Sequence, residues 1–213
     1  MKKSVPPNRS SAENPMQERI LGAAFKAFTE DGYADTSTLD IATRAKVSKR
    51  DLYANFSSKH EVLVACIKSR AERMRLPLDL PTPRSRQALA LALTAFATNL
   101  VREGSHPLVI ATFRLAIAEA TRSPEIAQAL GVARDATSGS LADLLARAQG
   151  TGLIGPGEPG EMAAQYLGLI WEGLRVDLLL GIAATPKPAQ AKRRAIKATA
   201  AFMQLHPDPT PDG

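Results

Sequence analysis

The sequence predicts an all-α protein of about nine helices, with a small N-terminal domain and a larger helical body. Apolar residues recur at helical spacing along most of the chain, and no stretch alternates apolar and polar residues as a half-buried strand does. Alanine and leucine are abundant, whereas aromatic residues make up only 5% of the chain, which favours helices over strands. Clusters of proline and glycine divide the periodic segments into separate helices.

The first helix is expected over residues 15–31. Its apolar residues follow the i, i+4, i+7, i+8 spacing of one buried face: Ile20, Ala24, Ala27 and Phe28. Gly32 then provides a C-cap, because glycine readily adopts the left-handed backbone that ends many helices. Residues 1–15 are polar and contain prolines, so we expect a disordered tail there.

Residues 36–56 hold the densest set of helix signals in the chain. Ser37 is followed three residues later by Asp40, and Ser48 is followed at the same spacing by Asp51. A serine with an acidic residue at this spacing resembles a capping box, which opens a helix. The segment therefore predicts two short helices joined by a tight turn.

Further helices are expected wherever apolar periodicity resumes after a break: 57–75, 85–103, 107–120, 124–149, 159–184 and 188–205. Residues 76–84 contain three prolines, so they predict a linker that cannot continue a helix. The expected divisions are a tail, a helix-turn-helix domain, a helical body and a second, frayed tail: 1–15, 16–62, 63–205 and 206–213.

Basic residues concentrate in the N-terminal third. The formal net charge is +6. Residues 1–75 hold 14 Lys and Arg against 9 Asp and Glu, whereas the rest holds 13 against 12. This distribution favours a polyanionic partner for the N-terminal domain, and a mildly basic surface with no such partner is the alternative.

Several classes of protein are disfavoured by what the sequence lacks. The lone Cys66 forms no intramolecular disulfide, and no secretory signal opens the chain. The most apolar stretch, 163–184, contains three charged residues, which argues against a membrane helix and for a cytoplasmic protein without membrane contact. Three scattered histidines make no metal cluster, and no HExxH, GxSxG or glycine-rich phosphate loop occurs, so we expect neither an enzyme nor a cofactor.

The second short helix carries the residue types that read DNA. In a helix-turn-helix, the first helix braces the second, whose N-terminal residues face base edges in the major groove. Here those residues are Lys49 and Arg50, which can reach guanine acceptors or phosphates. Tyr53 offers a hydroxyl to phosphate, Asn55 can pair with adenine, and Lys59 can neutralise a phosphate. Alternatively, Tyr53 only packs and the two cations form a solvated face.

This N-terminal segment resembles the TetR family of regulators. The resemblance covers about residues 18–63 and rests on residue types at matching spacing: Gly32-Tyr33, Asp40-Ile41-Ala42, Val47-Ser48-Lys49, Leu52-Tyr53, Phe56 and Lys59. It implies a homodimer that represses by binding operator DNA and is released by a small molecule. It also implies that the matching positions face DNA: Ser37, Thr38, Lys49, Arg50, Tyr53, Asn55 and Lys59.

Two residues depart from the family pattern. Lys46 stands in the turn where members usually have glycine; with a positive φ it costs on the order of 1 kcal/mol, and we expect its charge to approach phosphate. Thr38 stands where an apolar residue is common, and its hydroxyl is available to a phosphate.

The body is expected to dimerise and to bind the effector. The helix at 159–184 is apolar on more than one side, so a partner subunit is the natural second surface. Together with the last helix it predicts an interface: Leu167, Ile170, Leu174, Leu178, Ile196, Phe202 and Met203. The candidate ligand contacts combine aromatic and polar side chains: Phe96, Arg102, His106, Phe113, Tyr166 and Trp171. Alternatively, the aromatics fill the core and the charges pair with one another.

A sequence-specific regulator, most simply a dimeric repressor on a palindromic operator, is therefore the leading interpretation. A non-specific architectural DNA-binding protein and an activator remain the alternatives. The architectural protein would bind all duplexes alike and ignore metabolites, whereas a regulator protects one site and releases it with a ligand.

Overall fold

The computed structural model describes residues 15–75, 81–118, 120–121 and 124–209. Within those ranges the chain forms ten α-helices and no strand, so the predicted all-α class is confirmed. In chain order they are α1 Pro15–Glu30, α2 Thr38–Ala45, α3 Lys49–Asn55, α4 Lys59–Met74, α5 Arg86–Gly104, α6 Pro107–Ala118, α7 Pro124–Gly150, α8 Pro159–Trp171, α9 Leu174–Leu180 and α10 Pro188–Leu205.

The single helix expected over 159–184 is wrong, because the chain breaks between α8 and α9. Glu172 caps α8 with a φ of 32°, and Gly173 follows with a φ of 82°. Glycine adopts this left-handed backbone without a steric penalty, whereas glutamate does not. The Glu172 carboxylate lies 3.2 Å from Lys197 Nζ and 3.8 Å from Arg194, contacts that help to hold the residue in place.

The chain divides into two compact units between Cys66 and Ile67, four residues after the expected boundary at 62/63. We call the described residues up to Cys66 the head and those from Ile67 onward the body. In the head, α1 packs against α2 and α2 against α3. Their apolar faces form a small core that includes Ile20, Phe28, Ile41, Leu52 and Phe56.

The body encloses a larger core, to which the six helices from α5 to α10 contribute buried residues. Helix α5 packs against α10, α7 against α8, and α8 against α10. Tyr166 lies fully buried at the centre, where its ring is 5.0 Å from that of Phe202. Its hydroxyl donates a hydrogen bond to the Leu93 carbonyl at 2.9 Å and shares one with Thr199 Oγ1 at 2.6 Å. The buried tyrosine therefore has the polar partners that it needs.

The expected tails and linker are only partly described. Residues 1–14, 76–80 and 210–213 lie outside the described residues, so those parts of the expectation stay predictions. Residues 206–208 contradict the expected frayed tail. Arg86 donates to the carbonyl oxygens of Met203, His206 and Leu153 and forms an ion pair with Asp208, while the Pro207 carbonyl accepts from Gly155 N–H.

No helix in the described ranges combines the length and the apolar character needed to cross a membrane. Cys66 is buried in the head, and its thiol contacts the Leu21 carbonyl at 3.7 Å. Burial raises the pKa of the Cys66 thiol to about 12, which leaves little thiolate at neutral pH.

Candidate functional site

The candidate DNA-reading surface is built on two capped helices. Ser37 accepts a hydrogen bond from the Asp40 N–H and the Asp40 carboxylate accepts one back, which makes the capping box predicted for α2. Ser48 and Asp51 form the same reciprocal pair at α3. Side-chain hydrogen bonds from the two serines, followed by their backbone N–H groups, lower the pKa of Asp40 and of Asp51. Both helix starts are therefore held by local interactions.

The turn between α2 and α3 adopts the geometry in which glycine is favoured. Lys46 has φ 53° and ψ 47°, and its N–H donates back to the carbonyls of Ala42 and Thr43. The structure confirms a positive φ at Lys46, which its position in place of the family's usual glycine suggested. An L-residue in this conformation brings Cβ close to a carbonyl oxygen, so the lysine is strained.

Replacing Lys46 with glycine is expected to stabilise the head by about 1 kcal/mol, because the left-handed strain disappears. Lys46→Ala is the matched control, since it removes the charge but retains Cβ. Chemical denaturation of the full chain should show a gain for the glycine variant alone. Equal stability of both variants would mean that the turn carries no backbone strain.

Helix α3 exposes one face and buries the other. Lys49 and Arg50 are exposed at its first two positions, where side chains lie nearest to a groove in a helix-turn-helix. On the opposite side Leu52 is fully buried. This division is the one that a recognition helix requires, because the apolar side anchors the helix and the basic side stays available.

A hydroxyl pair joins the exposed faces of the two helices. Thr38 Oγ1 and Tyr53 Oη lie 3.1 Å apart in a hydrogen bond, and 45% of Tyr53 is exposed. Lys49 Nζ lies 5.8 Å from the centroid of the tyrosine ring. The structure thus brings together Thr38, Lys49 and Tyr53 on one surface.

Two predicted DNA contacts have structural partners instead. Asn55 is half-buried, and its amide donates to the Asp51 carbonyl at 2.8 Å and contacts Met16 Sδ at 3.7 Å. Lys59 Nζ donates to the carbonyl oxygens of Tyr33, Ala34 and Thr36 and lies 4.4 Å from the centroid of the Tyr33 ring. Both side chains hold the head together, because their donors are directed at protein acceptors.

The head also has a basic groove that sequence reasoning missed. Arg19 and Lys26 of α1 and Lys46 of the turn line an open groove between α1 and α2. Arg44 lies there too, but it is paired with Glu30 and Asp31, each at 2.6 Å. The seven-residue spacing of Arg19 and Lys26 places them on one helix face and is the signal that could have identified them.

The candidate effector residues of the body do not form one set. Phe96 and Tyr166 lie in the core, so both fill the interior as the alternative interpretation expected. Arg102 is exposed and lies 3.3 Å from the carboxylate of Glu103. Burial lowers the pKa of His106, which nearby Arg70 lowers further. Phe113 and Trp171 share a contact with the guanidinium of Arg175.

Most of the predicted dimer residues are already buried within one chain. Ile170, Leu174, Leu178 and Phe202 belong to the body core, so within one chain they keep little or no surface for a partner. Leu167 and Met203 are half-buried, and Ile196 is 51% exposed. The two-sided apolar pattern coincides with a break into two short helices, and Val176 and Leu180 of α9 stay 57% and 67% exposed.

Comparison with known proteins covers both units. Residues 20–66 match the TetR family of bacterial regulatory proteins. Residues 91–206 match the C-terminal domain of AefR-like transcriptional repressors, which is more than half of the chain. The regulator HbdR of Aromatoleum sp. (strain CIB) is 40% identical over 53 residues, which are 25% of this chain and 23% of HbdR. This likeness therefore spans less than a quarter of that relative.

Solved structures resemble most of the chain. A TetR transcriptional regulator from Agrobacterium tumefaciens is 26% identical, with a TM-score of 0.76, and the match covers 92% of this chain and 96% of that one. The flavonoid-responsive regulator FrrA is 28% identical, with a TM-score of 0.64 and coverage of 91% and 97%. The capped helix pair with its exposed Lys49 and Arg50, and a family match in each unit, lead to one conclusion: the chain belongs to the TetR family and is a DNA-binding transcriptional regulator, not an enzyme.

Proposed function

We propose that the protein is a cytoplasmic repressor that binds a palindromic operator as a homodimer and leaves it when a small molecule binds the body. The observation that carries this proposal is the placement of Lys49 and Arg50. They stand exposed at the start of α3, a helix fixed at one end by its capping box and along one side by the buried Leu52. A rigid helix with free cationic donors suits base recognition in the major groove.

Base and phosphate contacts divide among the exposed groups of the head. Arg50 can form paired hydrogen bonds to guanine, and Lys49 can reach a neighbouring base or phosphate. The Thr38 and Tyr53 hydroxyls are already joined at 3.1 Å, which leaves one hydroxyl hydrogen to donate to a phosphate. Lys46, together with Arg19 and Lys26 of the basic groove, supplies the sequence-independent attraction that fixes the register of the head on the duplex.

The homodimer would use the faces of α8 and α10 that the chain leaves accessible. Ile196 is exposed, and Leu167 and Met203 are half-buried, so these three retain surface for a partner. Two-fold symmetry would require the two recognition helices to meet half-sites about 34 Å apart, one turn of DNA, or a multiple of that. Such symmetry is the reason to expect a palindromic operator. Dimerisation and ligand response are typical of TetR regulators, and FrrA is named for its response to flavonoids.

The proposal is tested by selecting bound sequences from random DNA and footprinting the enriched site. A palindrome protected over two half-sites is the expected result. Arg50→Ala should then weaken binding about tenfold or more, with the loss concentrated at one base position of each half-site. Arg134→Ala, which removes an exposed arginine of the body, is the matched control and should leave binding unchanged.

Lys46 has a separate signature in the same assay. Because a phosphate contact releases counterions, Lys46→Gly and Lys46→Ala should both lower the salt slope of binding by about 1.

Other outcomes of the selection and footprinting experiment would favour the two alternative functions. Equal binding to every duplex would identify an architectural protein, and protection accompanied by increased transcription would identify an activator.

A further inference from the structure

Among the described residues of the body, one arginine lies against aromatic rings without a polar partner. Arg175 stands in the first turn of α9, and its guanidinium carbon is 3.6 Å from the centroid of the Trp171 ring and 5.0 Å from that of Phe113. Trp171 ends α8 and Phe113 belongs to α6. We call these three residues the Arg175 cluster. Contact with two aromatic faces stabilises the cation, but it leaves the N–H donors unused.

Within the described part of the chain, the Arg175 guanidinium has no hydrogen bond and no ion pair. Two other arginines of the body do have carbonyl acceptors. Arg114 donates to the Leu178 and Leu179 carbonyls, and Arg194 donates to carbonyls at the end of α8. Burial lowers the pKa of Arg175 to about 10, which reflects the water that the charge has lost. A partly desolvated cation without an acceptor is costly unless something outside the chain supplies one.

The corner between α5 and α6 adjoins this cluster. A Cβ built on Gly104 would lie 2.8 Å from Trp171 Cη2 and 3.5 Å from Arg175 Nη2, so α5 approaches both side chains closely. The next residue, Ser105, is fully buried, and its hydroxyl finds no hydrogen-bond partner among the described residues. Among the described residues, the Arg175 guanidinium and the Ser105 hydroxyl, one residue after Gly104, therefore both lack a hydrogen-bond partner.

We propose that the Arg175 cluster anchors the effector, and that the effector is a small organic acid whose carboxylate pairs with Arg175. The planar fork of a guanidinium matches the two oxygens of a carboxylate, and the interaction strengthens where water is excluded. The rings of Trp171 and Phe113 would contact the apolar part of the acid. This inference rests on the proposed function, because it names the chemical class of the molecule that the body senses.

Calorimetry on the full-length protein without DNA tests the proposal. The probes are benzoate, 2-naphthoate and hexanoate, each beside its neutral amide, which has nearly the same shape without the charge. We expect at least one acid to bind and its amide to bind at least about tenfold more weakly, as the loss of a charge-assisted hydrogen bond predicts. No binding by any of these acids, or equal binding of acid and amide, would overturn the proposal.

Variants locate the binding. Arg175→Met keeps an unbranched side chain against the rings but removes the charge, and it should abolish acid binding. Arg175→Lys keeps a cation without the fork, and it should weaken binding about tenfold even if the methionine variant unfolds. Arg134→Met alters an exposed arginine and should change nothing. Acid binding that survives in Arg175→Lys at wild-type strength would place the site elsewhere and overturn the proposal.

Operator release is measured separately, so the two proposals fail in different ways. Acid binding that depends on Arg175 but leaves the protein on its operator would support the carboxylate site and contradict ligand-induced release. Release by a neutral compound in the Arg175→Met variant would support the regulator and reject the acid as its effector.

Discussion

Phe202→Ala is expected to lower the free energy of unfolding of the body by about 3–5 kcal/mol. Phe202 is fully buried in α10, with its ring 5.0 Å from Tyr166 and 4.6 Å from the ring of His206. The substitution removes the apolar contacts of a whole ring. It also leaves a cavity beside Tyr166, whose hydroxyl bonds to Leu93 and Thr199 keep that neighbour from moving in.

Urea denaturation followed by circular dichroism measures this loss directly. Leu205→Ala is the matched control, because Leu205 lies three residues further along the same helix and is 55% exposed. Its substitution should change stability by less than about 0.5 kcal/mol. Similar losses at both positions would show that α10 does not bury Phe202 in solution.

Glu103→Gln is expected to destabilise the body by about 3 kcal/mol, because it removes one charge of a shielded ion pair. The Glu103 carboxylate lies 2.6 Å from Arg70, and the two side chains are only 13% and 11% exposed. Burial lowers the pKa of Arg70, and the nearby Glu103 acts in the opposite direction. The glutamine keeps the shape and a hydrogen-bonding oxygen but loses the compensating charge.

An exposed ion pair between an arginine and a carboxylate serves as the control for this buried one. Arg134 and Asp135 lie 3.0 Å apart, yet their side chains are 76% and 70% exposed. Asp135→Asn should cost less than about 1 kcal/mol, since water screens an exposed pair. Thermal unfolding of the two variants at equal salt tests the contrast. A loss in Asp135→Asn as large as that in Glu103→Gln would mean that burial does not set the strength of these pairs.

Short-range rules predicted the head well because its decisive interactions span few residues. The Ser48 and Asp51 cap closes within one helical turn, and the left-handed Lys46 follows from a turn too tight for an ordinary backbone. Lys59 could not be assigned in the same way. Its acceptors at Tyr33 and Thr36 lie more than twenty residues away, and a sequence pattern does not indicate which carbonyls a distant lysine will reach.

Periodicity in the body identified apolar faces but not what covers them. Ile170 and Phe202 were predicted to meet a second subunit, whereas the same chain buries both. The single helix predicted over 159–184 came from passing over Gly173, since one glycine within a helical pattern is often tolerated. Arg175 was not predicted as a site residue either. A single arginine among apolar residues resembles a solvated charge until Trp171 and Phe113 are seen against it.

The contacts of Arg86 have a practical consequence for anyone who engineers this chain. Its guanidinium, at the start of α5, donates to the carbonyl oxygens of Met203 and His206 and pairs with the carboxylate of Asp208. Shortening the protein to the end of α10 would strip away two of these acceptors. A reporter fused beyond residue 209 keeps all of them, so fusion proteins should extend the carboxyl end instead of trimming it.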